Sequence, residues 1–552
     1  MSAEPRVLIA GAGPTGQALS LALSAMGVPH RLIDALPERT PHSRALVLQA
    51  RSLELLSAYG LAEGLLREGQ TGVEARIYVN RELAALVPLS DFAIGDTAYP
   101  FPLVVSQERT EAALDAGLAA RGVTVERPVR LVDFSQDAEG VHARLEHADG
   151  REEALRVQWL VGCDGAHSVV RKGAGLSFEG AAYPQDFMLA DVHVDWELPD
   201  DRVCVFLRSG GTLAVLPFKE PGLVRLIATR ASEATADQEP TLEEFEAIFR
   251  EAVPGEVRLH DPVWVSRFRL HHRGVDRYRA GRVFVAGDAA HIHSPAGGQG
   301  MNTGIQDALN LGWKLGLVCL GEADEALLES YDAERAPVGR RLLGWTDRAF
   351  SLASSDNVLI AAARSLLVPW LAPKLTADPA RRARVYRFVS QLSIRYRESP
   401  LALAWEGPRP EGFSQGPAPG ARGPGGALFD PASGRAEALH ARLDPGHLHL
   451  LVFSGVGPDH ARARLDEEAL EAFAARWPRV QLHRVLGRSL TSQHPEARLD
   501  EQGQLHARYG FLSGPGLALL RPDGHVITRA PGMELEWVER CLGRLRGSAQ
   551  QV

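Results

Sequence analysis

The fold class is decided by residues 6–34, which read RVLIAGAGPTGQALSLALSAMGVPHRLID. The apolar run from Arg6 to Ala10 predicts a β-strand, and the Ala- and Leu-rich stretch from Gln17 to Ala25 predicts a helix. His30 to Asp34 predicts a second short strand that ends in an acid. Strand, tight turn, helix and strand in this order form a βαβ unit. The sequence therefore predicts an α/β fold around a Rossmann-type parallel sheet.

A GxGxxG motif, formed by Gly11, Gly13 and Gly16, lies between the first strand and the helix. Glycine is needed there for the turn, for the approach of the backbone to a pyrophosphate, and for close packing of the helix on the strand. The helix N-terminus adds free N–H groups and the positive end of a dipole. Asp34, about 20 residues further on, is placed to accept hydrogen bonds from a ribose. We therefore predict a dinucleotide site; the alternative is a glycine-rich turn that binds nothing.

A second strand, turn and helix begin at residue 283. The apolar run Val283 to Ala286 is followed by Gly287 and Asp288, by PAGGQGMN at residues 295–302, and by an apolar helix from Gly304 to Leu320. Asp288 is expected to bind a polyol such as a ribityl chain, while the loop N–H groups and the helix dipole would face and stabilise an anionic reduced flavin. Two such corners favour FAD over NAD. The residues assigned to this half of the site are Asp288, Pro295, Gly298, Gly300, Met301 and Asn302.

The composition is that of an ordinary globular protein, with 45% hydrophobic and 23% charged residues. The length of 552 residues predicts about two to four domains. The net charge of −9 is spread along the chain, so we expect no nucleic acid and no membrane as partner. The four cysteines form no CxxC motif, and neighbouring histidines lack a third ligand. We therefore predict a cytoplasmic protein without a metal site.

The domain organisation follows from changes in pattern along the chain. Residues 187–229 alternate apolar and polar side chains, which predicts an antiparallel sheet with one exposed face. Helices are predicted over Ala326 to Ser355 and Ala361 to Leu392, and Gly407 to Gly426 is rich in Gly and Pro, as linkers are. The expected domains are a discontinuous FAD-binding domain (1–174 and 276–400), an inserted substrate-binding β-sheet domain (175–275, with a segment near 72–106 as a further candidate), a linker (401–426) and a third domain (427–552).

Three motifs in order resemble those of the class A flavoprotein monooxygenases, the single-component aromatic hydroxylases with the p-hydroxybenzoate hydroxylase fold. They are the GxGxxG, the stretch CDGAHSVVR at 163–171, and Gly287-Asp288 with its glycine-rich loop. LESYDAERAP at 328–337 continues the resemblance, which covers about residues 5 to 400. It implies that Asp164 contacts both FAD and the passing nicotinamide. It also implies that Arg44 lies beside the flavin and that Gln107 contacts the FAD backbone.

The C-terminal part resembles the thioredoxin-like domain of the phenol, polyketide and rifampicin hydroxylase branch. The matching segments are Pro419 to Arg422 and Arg521 to Gly524. Because this part has no CxxC motif, a redox role is excluded, and packing or dimerisation is implied. The protein is then expected to be a monomer or a homodimer.

The resemblance implies an FAD-dependent monooxygenase that uses NAD(P)H and O₂. In the family, NAD(P)H reduces non-covalently bound FAD, O₂ adds at the flavin C4a carbon, and the hydroperoxide transfers OH to an aromatic, phenolic or polyketide-like substrate. We assign catalysis to the flavin and its surroundings, Arg44, Pro295 and Gly298, with the substrate between the flavin and the sheet of residues 175–275. With one GxGxxG, the nicotinamide binds transiently, as NADPH or NADH.

Three alternatives remain open at this point. The first is Baeyer–Villiger or epoxidising oxygenation of a polyketide, which the same hydroperoxide performs. The second is a flavin reductase or dehydrogenase that makes no use of oxygen. The third is a non-catalytic flavin-binding protein, against which the complete set of motifs argues.

Overall fold

A five-stranded sheet organises the N-terminal part of the molecule. The computed structural model describes residues 4–40, 45–89, 92, 94–199, 201–208, 211–230, 239–293, 297–354, 378–456, 465–487 and 494–547. The strands lie in the order Arg279–Ala280, Val283–Val285, Trp159–Gly162, Val7–Ala10 and His30–Ile33. The last four are mutually parallel. Val7–Ala10 is buried throughout, as expected for a parallel sheet covered on both faces.

The described helices are mostly short and carry recognisable ends. The first helix ends at Gly27, whose φ of 75° places it in the left-handed region that favours glycine. Ser106 and Thr241 cap the starts of two others through their side chains. The α-helices are Pro14–Met26, Ala50–Ala58, Ala62–Glu68, Gln107–Ala119, Val169–Gly173, Leu242–Ala252, Gly300–Cys319, Glu329–Ser354, Pro379–Val389, Glu467–Arg476, Gln504–Tyr509 and Leu535–Leu545. The 3₁₀ turns are Gly287–Ala289, Glu325–Leu328, Phe413–Gln415 and Leu439–Arg442.

A second sheet has eight strands and is mainly antiparallel. Its order is His291–Ile292, Val257–Gly274, Glu179–Trp196, Leu223–Arg230, Gly211–Pro217, Val203–Arg208, Glu74–Val79 and Glu82–Pro88. The alternating sequence of residues 187–229 does form antiparallel strands. Phe245 and Phe249 of helix Leu242–Ala252 pack on one face of this sheet.

Two smaller sheets complete the N-terminal part. Val129–Gln136, Val141–His147 and Glu152–Val157 form an antiparallel meander, and Val47–Leu48 pairs with Leu103–Val104. None of the helices in the described ranges combines the length and the hydrophobicity that crossing a bilayer would require.

The C-terminal part contains a third, seven-stranded mixed sheet. Its order is Arg435–Ala438, Ala427–Asp430, Arg498–Asp500, Val480–Gly487, Leu448–Phe453, Gly516–Leu520 and Val526–Pro531. The segment 522–524 is the turn between the last two strands. We refer to this sheet, its flanking helices and the segment 419–426 as the C-terminal unit.

One sequence-based prediction, a continuous helix from Ala361 to Leu392, is confirmed over Pro379–Val389 but wrong at Asp378, which interrupts it, and after Val389. The helix there begins only at Pro379, and the side chain of Asp378 caps it by accepting from the N–H of Ala380. Asp378 itself has an extended backbone (φ −85°, ψ 115°), which no helix interior adopts. Residues 361–377 lie outside the described part of the chain.

Candidate functional site

All three motifs lie at the carboxyl edge of the first sheet. The parallel strands that end at Ala10, Gly162 and Val285 are adjacent, and each is followed directly by its motif. Parallel strands present their carboxyl ends at one edge, so the order of the strands brings together segments that are far apart in sequence. The crevice outside such an edge is where open α/β sheets bind ligands.

The GxGxxG turn requires glycine at two positions for steric reasons. Gly11 has φ +100°, and a Cβ on it would lie 2.3 Å from the carbonyl oxygen of Cys163. A Cβ on Gly16 would lie 1.9 Å from the carbonyl oxygen of Gly11. A Cβ on Gly13, by contrast, would meet no atom of the described residues within 4 Å. Gly13 is the N-cap of helix Pro14–Met26, and the free space at its Cβ position leaves the start of this helix open on the side of the described residues, as a pyrophosphate requires.

Asp34 closes the same turn from the neighbouring strand. Its Oδ2 accepts from the N–H of Ala12 at 2.7 Å, and its Oδ1 accepts from the N–H of Leu36 at 2.9 Å. The guanidinium of Arg127 lies 3.1 Å from Oδ1. The carboxylate is therefore held against the glycine turn, where a ribose attached to the pyrophosphate would reach it.

The second corner meets the first at the side chain of Thr15. A Cβ on Gly287 would lie 2.5 Å from Thr15 Oγ1, and a Cβ on Gly304 would lie 2.3 Å from the same atom. Further along, Gly312 faces Ala22 and Gly316 faces Met26. Helices Pro14–Met26 and Gly300–Cys319 therefore run parallel in close contact, and both N-termini point to the carboxyl edge of the sheet.

The glycine-rich loop at 297–302 is held from one side by residues 47–49. Gly297 and Gly298 have φ of +76° and +63°, and a Cβ on Gly298 would lie 3.0 Å from Val47 Cβ. Asn302, fully buried, donates to the carbonyl oxygens of Val47 (2.9 Å) and Gly298 (2.7 Å) and accepts from the N–H of Gln49 (2.8 Å). Its side chain thus supports the loop, and the contact of Asn302 with the cofactor stays a prediction.

The DG stretch joins the two corners. Asp164 accepts from the backbone N–H groups of Val169 (2.7 Å) and Val170 (3.1 Å) and from the hydroxyl of Ser168, and so caps helix Val169–Gly173. Arg171, on this helix, donates to the carbonyl oxygen of Ala289 at 3.0 Å. In the structure the Asp164 carboxylate therefore orders the turn through backbone hydrogen bonds.

A buried charged group, which the sequence analysis missed, supports the second corner. Asp307 Oδ2 accepts from the N–H of Gly287 (3.1 Å) and contacts His291 Nε2 (2.7 Å), while Oδ1 accepts from Arg335 Nε (2.6 Å). Burial acts to raise the pKa of Asp307, but the charges of Arg335 and His291 prevail and lower it. The signal in the sequence was Asp307 itself, a single acid in a mostly apolar helix. A buried acid needs partners that compensate its charge, so its position pointed to a buried cation nearby.

The remaining predicted site residues are placed as follows. Arg44 and Pro295 lie outside the described residues. Gln107 begins a helix, its N–H donates to the carbonyl oxygen of Ala45 (3.1 Å), and its side chain donates to Glu111 (2.8 Å). Asp288 is exposed, in the 3₁₀ turn after the strand. Gly300 starts the long helix, and half-buried Met301 packs against the main core.

The second sheet turns an apolar face toward this site. Phe187, Leu189 and Phe268 form a buried cluster with Trp264 and Ile227, on the face opposite helix Leu242–Ala252. Leu216 and Phe218, from a neighbouring strand and the residue after it, pack against Leu46, which directly precedes the segment that holds the glycine-rich loop. The aromatic face and the loop therefore lie on the same side of the sheet.

These observations fit FAD. An open helix start beside glycines that a Cβ would obstruct suits the pyrophosphate, and a second helix start with a glycine-rich loop suits the flavin.

Comparison with known proteins identifies the same cofactor. Residues 4–346 match the protein family described as FAD binding domain. The chain is 40% identical over 400 residues to the 6-methylpretetramide 4-monooxygenase of Streptomyces rimosus, which covers 72% of this chain and 71% of that one. It is 33% identical to the pentachlorophenol 4-monooxygenase of Sphingobium chlorophenolicum over 96% of this chain and 94% of that one. Among solved structures, an anhydrotetracycline hydroxylase from Streptomyces rimosus superposes with a TM-score of 0.76 at 29% identity, covering 99% of both chains.

Proposed function

Because this chain belongs to the FAD-binding-domain family and is an FAD-dependent monooxygenase, we propose that it hydroxylates a phenolic ring of a fused aromatic polyketide. The observation that supports the cofactor half of the proposal is the meeting of two helix N-termini at Thr15, on the carboxyl edge of the first sheet. This arrangement supplies two positively polarised ends for one extended cofactor.

The residues that would hold FAD divide into two groups. Gly11, Gly13 and Gly16, with Asp34, would bind the pyrophosphate and the ribose. Asp288 and the loop from Gly298 to Asn302 would bind the ribityl chain and the flavin, and the sequence also assigns Arg44 and Pro295 to this half of the site. When bound, FAD supplies the hydride acceptor for NAD(P)H and the centre that activates O₂.

The substrate would lie between the glycine-rich loop and the aromatic face of the second sheet. Phe187 and Phe268, 5.7 Å apart between ring centroids, offer an apolar wall for a planar ring. Such a wall also excludes water from the reacting centre, and water there would divert the reaction toward H₂O₂.

Arg225 would add a hydrogen-bond donor on the same face, because its Nη1 is buried and has no hydrogen-bond partner within the described part of the chain. Its Nε and one terminal nitrogen each donate to Asp191 at 2.7 Å, and the guanidinium lies 5.7 Å from the centre of the Trp264 ring. Because Asp191 neutralises the guanidinium, Arg225 would offer a substrate oxygen a hydrogen bond and no net positive charge.

The names of the relatives support a polyketide phenol as the substrate class. One relative is a 6-methylpretetramide monooxygenase, another a pentachlorophenol monooxygenase, and a solved relative hydroxylates anhydrotetracycline. We infer from them that the substrate of this chain is likewise a phenol, with fused rings.

The proposal is tested by supplying the FAD-loaded protein with single-ring phenols and fused-ring phenolic polyketides. NADPH and NADH oxidation, O₂ uptake and product mass are measured together. We expect a fused-ring phenol to accelerate all three and to gain one oxygen atom as a hydroxyl group, located by NMR. Insertion of oxygen into a ring C–C bond would instead identify a Baeyer–Villiger enzyme. Acceleration by none of these compounds would refute the proposed substrate class.

A further inference from the structure

The C-terminal unit docks on the FAD-binding part through buried charged side chains. Arg521 lies 2.6 Å from Glu334, and the two side chains are 1% and 0% exposed. Arg521 also pairs with Asp523 in its own unit. A second pair, Arg422 with Glu54 at 2.6 Å, is equally buried. Buried ion pairs of this kind fix a geometry because each charge depends on its partner.

Glu334 is saturated with donors from both sides of this interface. Its Oε1 accepts from Arg521 and from the hydroxyl of Ser399 (2.6 Å each). Its Oε2 accepts from Lys314 (2.8 Å) and Asn310 (2.7 Å), both on helix Gly300–Cys319, which begins at the glycine-rich loop. Glu334 thus ties the C-terminal unit to that helix.

Arg335, the next residue, is tied to the flavin corner. Its Nε lies 2.6 Å from Asp307, whose other oxygen holds the N–H of Gly287. One terminal nitrogen donates to the hydroxyl of Tyr396 at 3.1 Å. The Tyr396 ring lies 4.4 Å from the ring of His525 of the C-terminal unit, between centroids.

Two short routes therefore lead from the C-terminal unit to Gly287. One passes from Arg521 to Glu334 and its neighbour Arg335, and the other from His525 through Tyr396 to the same arginine. Both routes continue from Arg335 to Asp307, which accepts a hydrogen bond from the N–H of Gly287. Interdigitated buried groups transmit displacement because a packed interior is poorly compressible.

We propose that the C-terminal unit positions the flavin-binding corner, with Arg521 and Tyr396 as positioning residues that act through Arg335 and Asp307. Neither residue touches the cofactor in this account. The unit is thus part of the structure that retains FAD. This inference rests on FAD binding and is independent of which substrate is hydroxylated.

The test measures the dissociation constant of FAD by ultrafiltration of the holoenzyme, at a temperature where every variant is folded by circular dichroism. Arg521→Met should weaken FAD binding by about tenfold, within the usual range for coupled sites. Arg521→Lys, which keeps the charge but loses the planar fork, should fall between wild type and Arg521→Met. Arg476→Met is the matched control, because Arg476 pairs with Glu539 on the exposed surface of the same unit and should leave FAD affinity unchanged.

Tyr396→Phe provides a second variant that removes one hydroxyl and keeps the ring. It should weaken FAD binding by a smaller factor and shift the absorbance spectrum of the bound flavin. If Arg521→Met does not fold, the FAD dissociation constant of Tyr396→Phe alone tests the inference. An FAD dissociation constant equal to that of wild type in each folded variant, with only thermal stability lowered, would overturn the inference. Wild-type protein that retains no FAD would instead refute the cofactor assignment.

Discussion

Arg335 Nε lies 2.6 Å from Asp307 Oδ1, and both side chains are completely buried beneath the second glycine corner. The second oxygen of Asp307, Oδ2, accepts a hydrogen bond from the N–H of Gly287. The corner therefore rests on a charge pair that has no access to solvent.

We expect Asp307→Asn to destabilise the protein and to release FAD. The substitution leaves the Arg335 charge buried without compensation, which costs about 3–5 kcal/mol in comparable cases. Urea unfolding and the flavin content of the purified protein measure the two effects. Asp201→Asn, at an exposed carboxylate whose ion pair with Arg202 is long, is the control. Retention of full stability by Asp307→Asn would show that the charge pair does not support the corner.

Close packing of the two parallel helices gives a second prediction. A Cβ on Gly312 would lie 2.4 Å from Ala22 Cβ, which cannot rotate away. Gly312→Ala should therefore cost about 1–3 kcal/mol through overpacking. Gly543→Ala, in a helix position where a Cβ meets nothing within 4 Å, should be neutral or stabilising by up to about 1 kcal/mol. Equal unfolding free energies for the two variants would contradict the observed helix contact.

Stability should fall with acid between about pH 6.5 and pH 4, because of buried histidines. Burial lowers the pKa of His440 from 6.5 to about 4, despite the opposing charge of Glu54. In this window the unfolded chain binds the proton more readily, so the stabilisation is present above pH 6.5 and is lost as the pH falls toward 4. The shift corresponds to roughly 3 kcal/mol.

His440→Gln tests this pH dependence through urea unfolding at a series of pH values. The variant should show a smaller decrease in unfolding free energy over the same window. Parallel pH profiles for the variant and the wild type would assign the loss to other groups, such as His525, whose pKa burial also lowers to about 4.

All four cysteines should be inert in the native protein. Cys163, Cys204, Cys319 and Cys541 are buried and unpaired, and burial raises the pKa of each thiol. Because the thiolate is the reactive species, a thiol reagent at neutral pH should modify none of them until the protein is unfolded. Rapid labelling of Cys541 under native conditions would reopen a redox role for the C-terminal unit.

Asp288→Ala should abolish the retention of FAD during purification. Asp288 is exposed beside the second corner, where its carboxylate would accept hydrogen bonds from the ribityl chain. Asp133→Ala, at an exposed aspartate of the meander, is the matched control and should keep its flavin. Flavin absorbance per protein measures both. An unchanged flavin content in Asp288→Ala would remove that residue from the site.

The first sheet was predictable because its signals are local. Residues 6–34 contain a complete strand, turn, helix and strand, and the structure contains all four, with the helix lengthened to Pro14–Met26. The hairpin of Glu74–Val79 and Glu82–Pro88 was only a candidate for the second sheet. It pairs in parallel with Val203–Arg208, and a partner so distant in sequence leaves no local trace.

The supports of the site were less predictable than its glycines. Gly16 is required by its contact with Gly11 inside the turn, and Gly11 by its positive φ, and a local motif records both. Asp307 and Arg335 meet only because two helices pack, and the Arg521–Glu334 pair depends on the docking of the C-terminal unit. Charges at such positions indicate a buried partner, but its identity is set by tertiary packing.

The central claim is that two glycine corners bind opposite ends of one FAD molecule, and a crystal structure of the FAD-loaded protein tests it most directly. We expect the pyrophosphate over Gly13 at the start of helix Pro14–Met26, with the flavin ring against Gly298. FAD bound elsewhere, or with either of these glycines remote from it, would contradict the account.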